Sequence, residues 1–533
     1  MRYNSHMKKR DNNTLPDDIE ALKAMVLELQ NQQLAQQADA ARLQQESERW
    51  KRDFYQLLEK WQLELKKRFA ASTEGLPGQG DLFNEIEDIL QPDADEVAAE
   101  QHIAYTRKVG RRARLDASLP RKEIVHDISD DEKTCECCGT DMHRMGEDVS
   151  EKLDFIPAKV QVIRHIRPKY SCRTCEQHRT ESNIKQAPVP PSMLPKSIAT
   201  PSLLGQIITA KFQYGLPLYR QEAMFKQFGA DISRQTMSRW LVAVSQKLEP
   251  LYQRMHDILV QQPVLWTDET TLKVIQSEKS KSYMWVYGCG GDKPPPDSTS
   301  PPPNIVLYDY QDGRGGTHPK DFLKGYRGPL QVDGYQGYEQ TDAKLAGCWA
   351  HARRKFVDAK TVQGKKKTGK ADMAIAFIQK LHRVEKRMAD KSAEERLSAR
   401  QTESIAILKD FRKWLDTQAM HVPPTSIIGK AVQYTLNQWS KLQVYLTDGR
   451  INIDNNRAER AIKPFVIGRK AWLFANTHGG ADASAVLYSL VETAKANDLQ
   501  PIDYLVSLFE QWPLLNDNDN IDHLLPWNIK TSL

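Results

Sequence analysis

Residues Ile451–Phe474 read INIDNNRAERAIKPFVIGRKAWLF. The apolar Ile451 and Ile453 run into Asp454-Asn455-Asn456, side chains suited to accept from the free N–H groups that open a helix. A short helix is predicted there, stopping near Pro464, which lacks the N–H that a helix interior needs. On it Asn455, Glu459 and Lys463 recur every four residues and share a face. Ala458, Ala461 and Ile462 supply the buried side. One carboxylate thus stands among Arg457, Arg460, Lys463, Arg469 and Lys470. Alone, that describes a surface ion pair; its meaning depends on acids elsewhere in the chain.

Two such acids lie upstream in strand-like surroundings. Pro263 to Ile275 (PVLWTDETTLKVI) is rich in β-forming residues and carries Asp268 at its middle. Strand alternation puts Asp268 and its neighbour Glu269 on opposite faces. Ser282 to Cys289 and Asn304 to Tyr310 are two further strands, joined by a proline-rich loop. A short helix over Pro319 to Tyr326 leads to a fourth strand, Pro329 to Asp333 (PLQVD). A fifth over Ala346 to Trp349 opens a basic helix with His351, Arg353, Arg354 and Lys355. Three strands, a helix, a strand ending in Asp, a strand and a helix is the order of an RNase H-like mixed α/β sheet. There the first and fourth strands are neighbours, so Asp268 and Asp333 would converge and Glu459 could complete the set. Glu269, Asp309 and Asp312 are the rival acids.

Three converging carboxylates suit phosphodiester chemistry. Two Mg²⁺ ions roughly 3.5–4 Å apart can activate an attacking oxygen and stabilise a leaving one. Mg²⁺ (or Mn²⁺) takes hard oxygen ligands, so Asp and Glu rather than His or Cys should line the site.

The chain has 533 residues, 40% hydrophobic and 27% charged, which is a soluble globular composition with room for several modules. It holds no apolar run of the about 18 residues a membrane span needs. The N-terminus lacks a signal-peptide core, so a cytoplasmic location is expected. Net charge is +6, and its clustering says more than its size.

From Asp17 to Phe69 no Pro or Gly occurs. Leu22, Leu29, Leu43, Trp50 and Leu57 form one heptad row; Val26, Ala40, Phe54 and Trp61 form its companion. This predicts an N-terminal coiled-coil helix over 17–69 and homo-oligomers through it, against the plainer reading of a long helix folded on its own domain. Residues 70–120 read as a linker with a basic arm containing Arg107, Lys108, Arg111, Arg112 and Arg114. The arm suits DNA phosphates or the minor groove, or is a solvated charge run.

A module over 121–185 holds Cys135-x-x-Cys138 and Cys172-x-x-Cys175, with the strand-like Lys159 to Ile166 between them. Four thiolates on two knuckles make a closed structural Zn²⁺ site. Cys137 is a spare ligand, and His143, His165 and His178 are unneeded. A redox pair is the alternative. Within 196–250, helices over Ser202 to Tyr214 and Leu218 to Phe228 precede a turn at Gly229 and a third helix capped by Ser233. That is a helix-turn-helix arrangement, or an ordinary helical hairpin. Arg234, Gln235 and Ser238 would face DNA; Ile232, Met237, Trp240 and Leu241 would pack inside. The sheet domain spans 258–478, with a helical insertion at 357–425 whose Lys365, Lys366, Lys367 and Lys370 touch DNA or keep a loop soluble. Helices over Ala481 to Asn497 and Pro501 to Gln511 close a C-terminal region, 479–533. The expected fold is a multidomain α and α/β chain.

WTDET at Asp268, QVDGYQGY at Asp333, GCWAHARRKF from Gly347 and IDNNRAERAIKPFVIGRKAWLF from Ile453 resemble the transposases of the insertion-sequence-66 family. The likeness extends to the N-terminal helix, the knuckles and the helix-turn-helix. It implies a DDE transposase with Asp268, Asp333 and Glu459 as catalytic triad and Mg²⁺ ligands. It also implies double-stranded DNA as partner, through terminal inverted repeats, and accessory proteins encoded by the same element. DNA contacts are then expected from the basic arm, the recognition helix, Arg353, Arg354, Arg460, Lys463, Arg469 and Lys470, in a nucleoid-associated protein. The rival readings are a DNA-binding regulator with a dead core and an RNase H-like nuclease that cuts without joining.

Overall fold

The structure is a computed structural model that describes residues 18–69, 121–124, 159–171, 184–291, 303–362, 369–516 and 518–529. The chain divides into two compact units, one of Met1–Leu90 with Arg167–Leu533 and one of Gln91–Ile166. In the smaller unit the described residues form neither helix nor strand. This overturns the strand expected over Lys159 to Ile166. Val160, Val162, Ile163 and Ile166 are all exposed there, so their alternation has no buried face to serve. Cys135, Cys138, Cys172 and Cys175 lie outside the described residues, as do Cys137, His143, His178 and the basic arm with Arg107, Lys108, Arg111 and Arg112.

In the larger unit, α1 (Ile19–Phe69) is one unbroken helix, as a run without Pro or Gly allows. Val26, Leu43, Trp50 and Leu57 of its heptad rows are exposed. Two short strands, β1 (Lys169–Tyr170) and β2 (Lys185–Gln186), pair antiparallel. Helices α2 (Pro201–Phe212), α3 (Leu218–Gln227) and α4 (Arg234–Lys247) follow. Gly229 makes the turn between the last two at φ +82°, a left-handed conformation that costs glycine least. Ser233 caps α4 by accepting from the Thr236 N–H at 3.2 Å. Ile232, Met237 and Leu241 are buried as expected. With α5 (Glu249–Leu259) these helices share one hydrophobic core with the sheet.

That sheet contains β3 (Leu265–Leu272), β4 (Ser282–Cys289), β5 (Ile305–Gln311), β6 (Pro329–Val332) and β7 (Lys344–Gly347) in the order β5-β4-β3-β6-β7. β4 runs antiparallel to both its neighbours; β3, β6 and β7 are mutually parallel. The short helix α6 (Thr317–Phe322) joins β5 to β6.

β7 opens α7 (Trp349–Val362), and α8 (Lys370–Arg387), α9 (Ala393–Ala399), a π-helical turn at Arg400–Ser404, α10 (Ile405–His421), α11 (Ile427–Asn437) and α12 (Trp439–Leu442) continue the insertion. It has its own core of Trp349, Phe356, Phe411, Leu415, Trp439 and neighbours. Helical structure runs on to Thr447, past the expected end at 425, because Val432, Trp439, Leu442 and Tyr445 are needed to close that core.

The stretch quoted first forms α13 (Asn456–Trp472), which passes straight through Pro464. The expected stop is wrong. Packing outweighs the missing backbone bond: Phe465 is fully buried against Tyr308, Tyr488 and Trp472. The Tyr308 hydroxyl also donates to the Ala461 carbonyl, beside the Arg460 carbonyl that Pro464 cannot serve. Last come α14 (His478–Ala496) and α15 (Pro501–Gln511). On α14, Ser489 Oγ accepts from the Tyr308 N–H at 2.7 Å and Thr493 Oγ1 from the Val306 N–H at 3.1 Å. Helix hydroxyls thus occupy the open edge of β5, which would otherwise be free to pair with another strand.

Candidate active site

β3 and β6 are registered with Leu265 opposite Leu330 and Trp266 opposite Gln331. Two residues further along each strand stand Asp268 and Asp333, so the acids are level on neighbouring parallel strands and leave the sheet on the same side. Asp268 Oδ1 accepts from the Glu269 N–H and Asp333 Oδ1 from the Tyr335 N–H, both at 2.8 Å. Gly334 follows Asp333 because any side chain there would meet Tyr434: an added Cβ would lie 2.9 Å from the phenol oxygen.

Glu459 arrives from α13, in the first turn of the helix. Five contacts fix where that turn sits. Gln331 donates to the carbonyls of Asn452 at 3.1 Å and Asp454 at 2.8 Å. Asn455 Nδ2 donates to the Thr267 carbonyl at 2.9 Å, beside Asp268. The Asn455 N–H reaches Cys348 Sγ at 3.1 Å, and the Trp349 N–H donates to the Ile453 carbonyl at 3.1 Å. Asn455 therefore occupies the cap position without a side-chain capping bond, contrary to expectation. Asp454 serves the helix instead, accepting from the Asn456 N–H at 3.2 Å. A buried amide finds a stronger claim on it in the strand carbonyl than in a cap that Asp454 already fills.

The Glu459 side chain is only 4% exposed. His351 Nδ1 lies 3.7 Å from Glu459 Oε1 and Arg354 Nη2 lies 4.0 Å from it, both reaching in from α7. Burial, then the charge of Arg354, brings the His351 pKa down to about 4, so at neutral pH the ring is uncharged and Arg354 is the cation facing the carboxylate.

Burial first, then the charges of Glu269, Asp333 and Glu459, push the Asp268 carboxyl well above the ordinary carboxylate range. Like charges gathered in a poorly solvated place are what a divalent cation relieves. The donor set, three carboxylates, is that of a hard ion. Among the described residues no three His, Cys, Asp or Glu side chains are drawn tightly enough together to hold an ion. Asp268 and Asp333 instead accept from the nearby backbone N–H groups of Glu269 and Tyr335.

The rival acids are engaged by other partners. Glu269 points away from Asp268 and accepts from Arg314 Nε at 2.9 Å and the Tyr338 hydroxyl at 2.5 Å. Asp309 accepts from Gln311, and burial brings its pKa up to about 7. Asp312 pairs with Lys279 at 3.1 Å.

The expected DNA contacts divide. Arg234, Gln235, Ser238, Arg460 and Lys470 are exposed, whereas Lys463 is half-buried. Arg469 donates to the hydroxyls of Thr270 at 3.2 Å and Thr271 at 3.0 Å, clamping α13 to β3. Arg354 faces Glu459, while Arg353 acts on buried His382 of α8, whose pKa falls to about 4 through burial and that charge. Gln331, His351 and Arg314 are site residues that sequence reasoning left without a role here, and Asn455 was expected only as a helix cap on the face of Glu459. Polar Gln331 inside an otherwise apolar strand was the available signal.

Comparison with known proteins agrees with this architecture. Residues 196–483 match the sequence model of the Transposase IS66 family. Residues 132–176 match the zinc-finger binding domain of transposase IS66, 489–527 the IS66 C-terminal element, and 56–124 the transposase C of IS166 homeodomain. Three uncharacterized proteins of Sinorhizobium fredii (strain NBRC 101917 / NGR234) are each 32% identical. y4qI aligns over 97% of this chain and 98% of its own length, y4jD over 83% and 86%, and y4hP over 89% and 84%. The chain is a transposase with DNA-binding domains. It belongs to the IS66 transposase family. Among the described residues no helix is long and apolar enough to cross a membrane.

Proposed function

We propose that the chain cuts and joins DNA at the ends of an insertion element, with Asp268, Asp333 and Glu459 as its catalytic carboxylates. The observation that carries this reading is the level placement of Asp268 and Asp333 on parallel neighbours, with Glu459 brought alongside by a helix pinned to both strands. The strand order, with three antiparallel strands followed by two parallel ones, supports an RNase H-like core.

In the first step a water oxygen attacks phosphorus at the element end and the 3′-oxygen leaves, taking up a proton. In the second, that 3′-hydroxyl attacks a target phosphodiester, loses its proton and displaces a target 3′-oxygen. Mg²⁺ or Mn²⁺ held by the three carboxylates would supply the charge that stabilises entering and leaving oxygens. Arg354 balances Glu459, and the neutral His351 ring keeps the pocket wall polar without adding charge. No Ser or Tyr nucleophile is required. The exposed face of α4 (Arg234, Gln235, Ser238) reads the terminal inverted repeats, Cys135, Cys138, Cys172 and Cys175 hold Zn²⁺, and α1 joins copies into an oligomer.

The test is an in vitro reaction of labelled end DNA with a target plasmid in Mg²⁺, Mn²⁺ or EDTA. Metal-dependent cleavage and joining, lost in Asp268→Asn, Asp333→Asn and Glu459→Gln proteins that remain folded, is the expected result. Cleavage without joining would mark a nuclease, and binding alone a regulator; either would overturn the proposal.

A further inference from the structure

Glu269, on the opposite face of β3 from Asp268, is a fourth carboxylate close enough to act electrostatically on Asp268, and it has no place in the triad. Its side chain is 1% exposed, yet the partner it holds, Arg314, is 42% exposed. Nε and Nη2 of Arg314 both donate to Glu269 Oε1, and among the described residues Nη1 makes no hydrogen bond. The guanidinium carbon lies over Tyr335, 3.9 Å from the ring centroid. Tyr335 closes the unit: its hydroxyl donates to the Arg314 carbonyl, and its N–H is the one that Asp333 accepts. Asp333 is near enough to act electrostatically on both Glu269 and Arg314.

A surface arginine usually keeps its rotamer freedom and gains little from an ion pair. Arg314 has given that freedom up, fixed by a buried carboxylate below and an aromatic ring beside it, with one edge left to solvent at the rim of the acidic centre. Fixed guanidinium donors suit a phosphate, because the ordering entropy is already lost before binding. Arg354 faces Glu459, so a phosphodiester entering the centre would meet a second cation there.

We propose that Arg314 contacts a backbone phosphate of the DNA next to the scissile bond, and that Glu269 is the positioning residue that aims it. This rests on the reading above that DNA is the substrate of this centre.

The experiment measures binding of full-length protein to a fluorescent end-containing duplex in EDTA across a range of KCl, and strand cleavage in Mg²⁺. Each phosphate contact contributes about 0.9 to the slope of log K against log salt. Arg314→Gln is expected to lower the slope by about 0.9. Arg314→Lys and Glu269→Gln, which keep the cation but not its aim, should retain the slope and slow cleavage about ten-fold or more. An unchanged slope in Arg314→Gln, even with a lowered melting temperature, would reduce the pair to a structural one and overturn the inference. If Arg314→Gln fails to fold, cleavage at the native rate by Arg314→Lys does the same. A native protein that binds DNA but never cuts sinks the proposed function while the slope still decides Arg314. Absence of any DNA binding overturns both.

Discussion

Two buried charge clusters sit at opposite ends of the segment that leads into α13, and they are built on opposite rules. Arg400, in the π-helical turn of the insertion, is wholly buried and fully served. It donates to Glu385 through Nε at 2.8 Å and Nη2 at 2.6 Å, and to the carbonyls of Tyr445, Asp448 and Ile451 at 2.8, 2.8 and 2.9 Å. Five donors meet five acceptors, which is all a guanidinium has. The acidic centre instead sets Asp268 and Asp333 level on neighbouring strands, with Glu459 facing Arg354 and Glu269 paired with Arg314 on the other face of β3. One cluster is complete as the chain folds; in the other, Asp268 and Asp333 accept only from backbone N–H groups among the described residues. A completed cluster holds structure, and an uncompensated one is where chemistry is expected.

The hardest blow to this contrast would come from Asp268. Asp268→Asn should slow cleavage by at least about a thousand-fold, since a carboxylate that holds a catalytic ion carries several kcal/mol of barrier. The same change should raise stability at neutral pH. The folded carboxyl is held above its ordinary value of about 4, so ionising it weakens the fold. Stability is full below that ordinary value and drains away as pH climbs toward the raised one, and the Asn variant should lack this slope. Urea titrations across pH would check it. An Asp268→Asn protein that is less stable and still cuts would break the comparison.

Arg400→Met should behave in the opposite way. It strands Glu385 and three carbonyls, for an expected loss of about 3–5 kcal/mol. Activity would fall only in proportion to the unfolded fraction. A loss under about 1 kcal/mol would show that the cluster is not what fixes the insertion.

Divalent ions should separate the clusters more gently. Mg²⁺ at about a hundred times its dissociation constant would stabilise the native protein by about 2.7 kcal/mol. The thermal midpoint should rise for the native chain and for Glu385→Gln, and hardly move for Asp333→Asn. Equal shifts in all three would place the ion elsewhere.

Much of this could be read from the residues alone. Alternation set Asp268 and Glu269 on opposite faces, β4 has the bounds its sequence suggested, and Ser233 caps α4. What stayed hidden depends on tertiary partners. Pro464 passes inside a helix because Phe465 and Tyr308 hold the chain there, and nothing local reports that. Lys159 to Ile166 alternates like a strand, but its apolar side chains are exposed and it forms none. Arg400 and Glu385 lie on different helices, and Arg314 is 45 residues from Glu269, so only the fold reveals either pair.

The smallest effect, and the sharpest on how the acidic centre is assembled, belongs to Asn455. Its amide is the link from the first turn of α13 to the Thr267 carbonyl, one residue before Asp268. Asn455→Ala removes one buried hydrogen bond, at an expected stability cost of about 1–3 kcal/mol because the carbonyl is left unserved. Gln331 and Cys348 still hold the segment, so the protein should fold. The Glu459 carboxylate, however, loses the contact that ties it to the β3 acid. Displacement by a fraction of an ångström should slow cleavage about ten-fold, while binding of end DNA in EDTA stays as it was. Raising Mg²⁺ should restore part of the rate if the defect is a loosened carboxylate set. If the rate falls only as far as stability does, and extra Mg²⁺ recovers nothing, the Asn455 bond is structural and Glu459 is positioned without it.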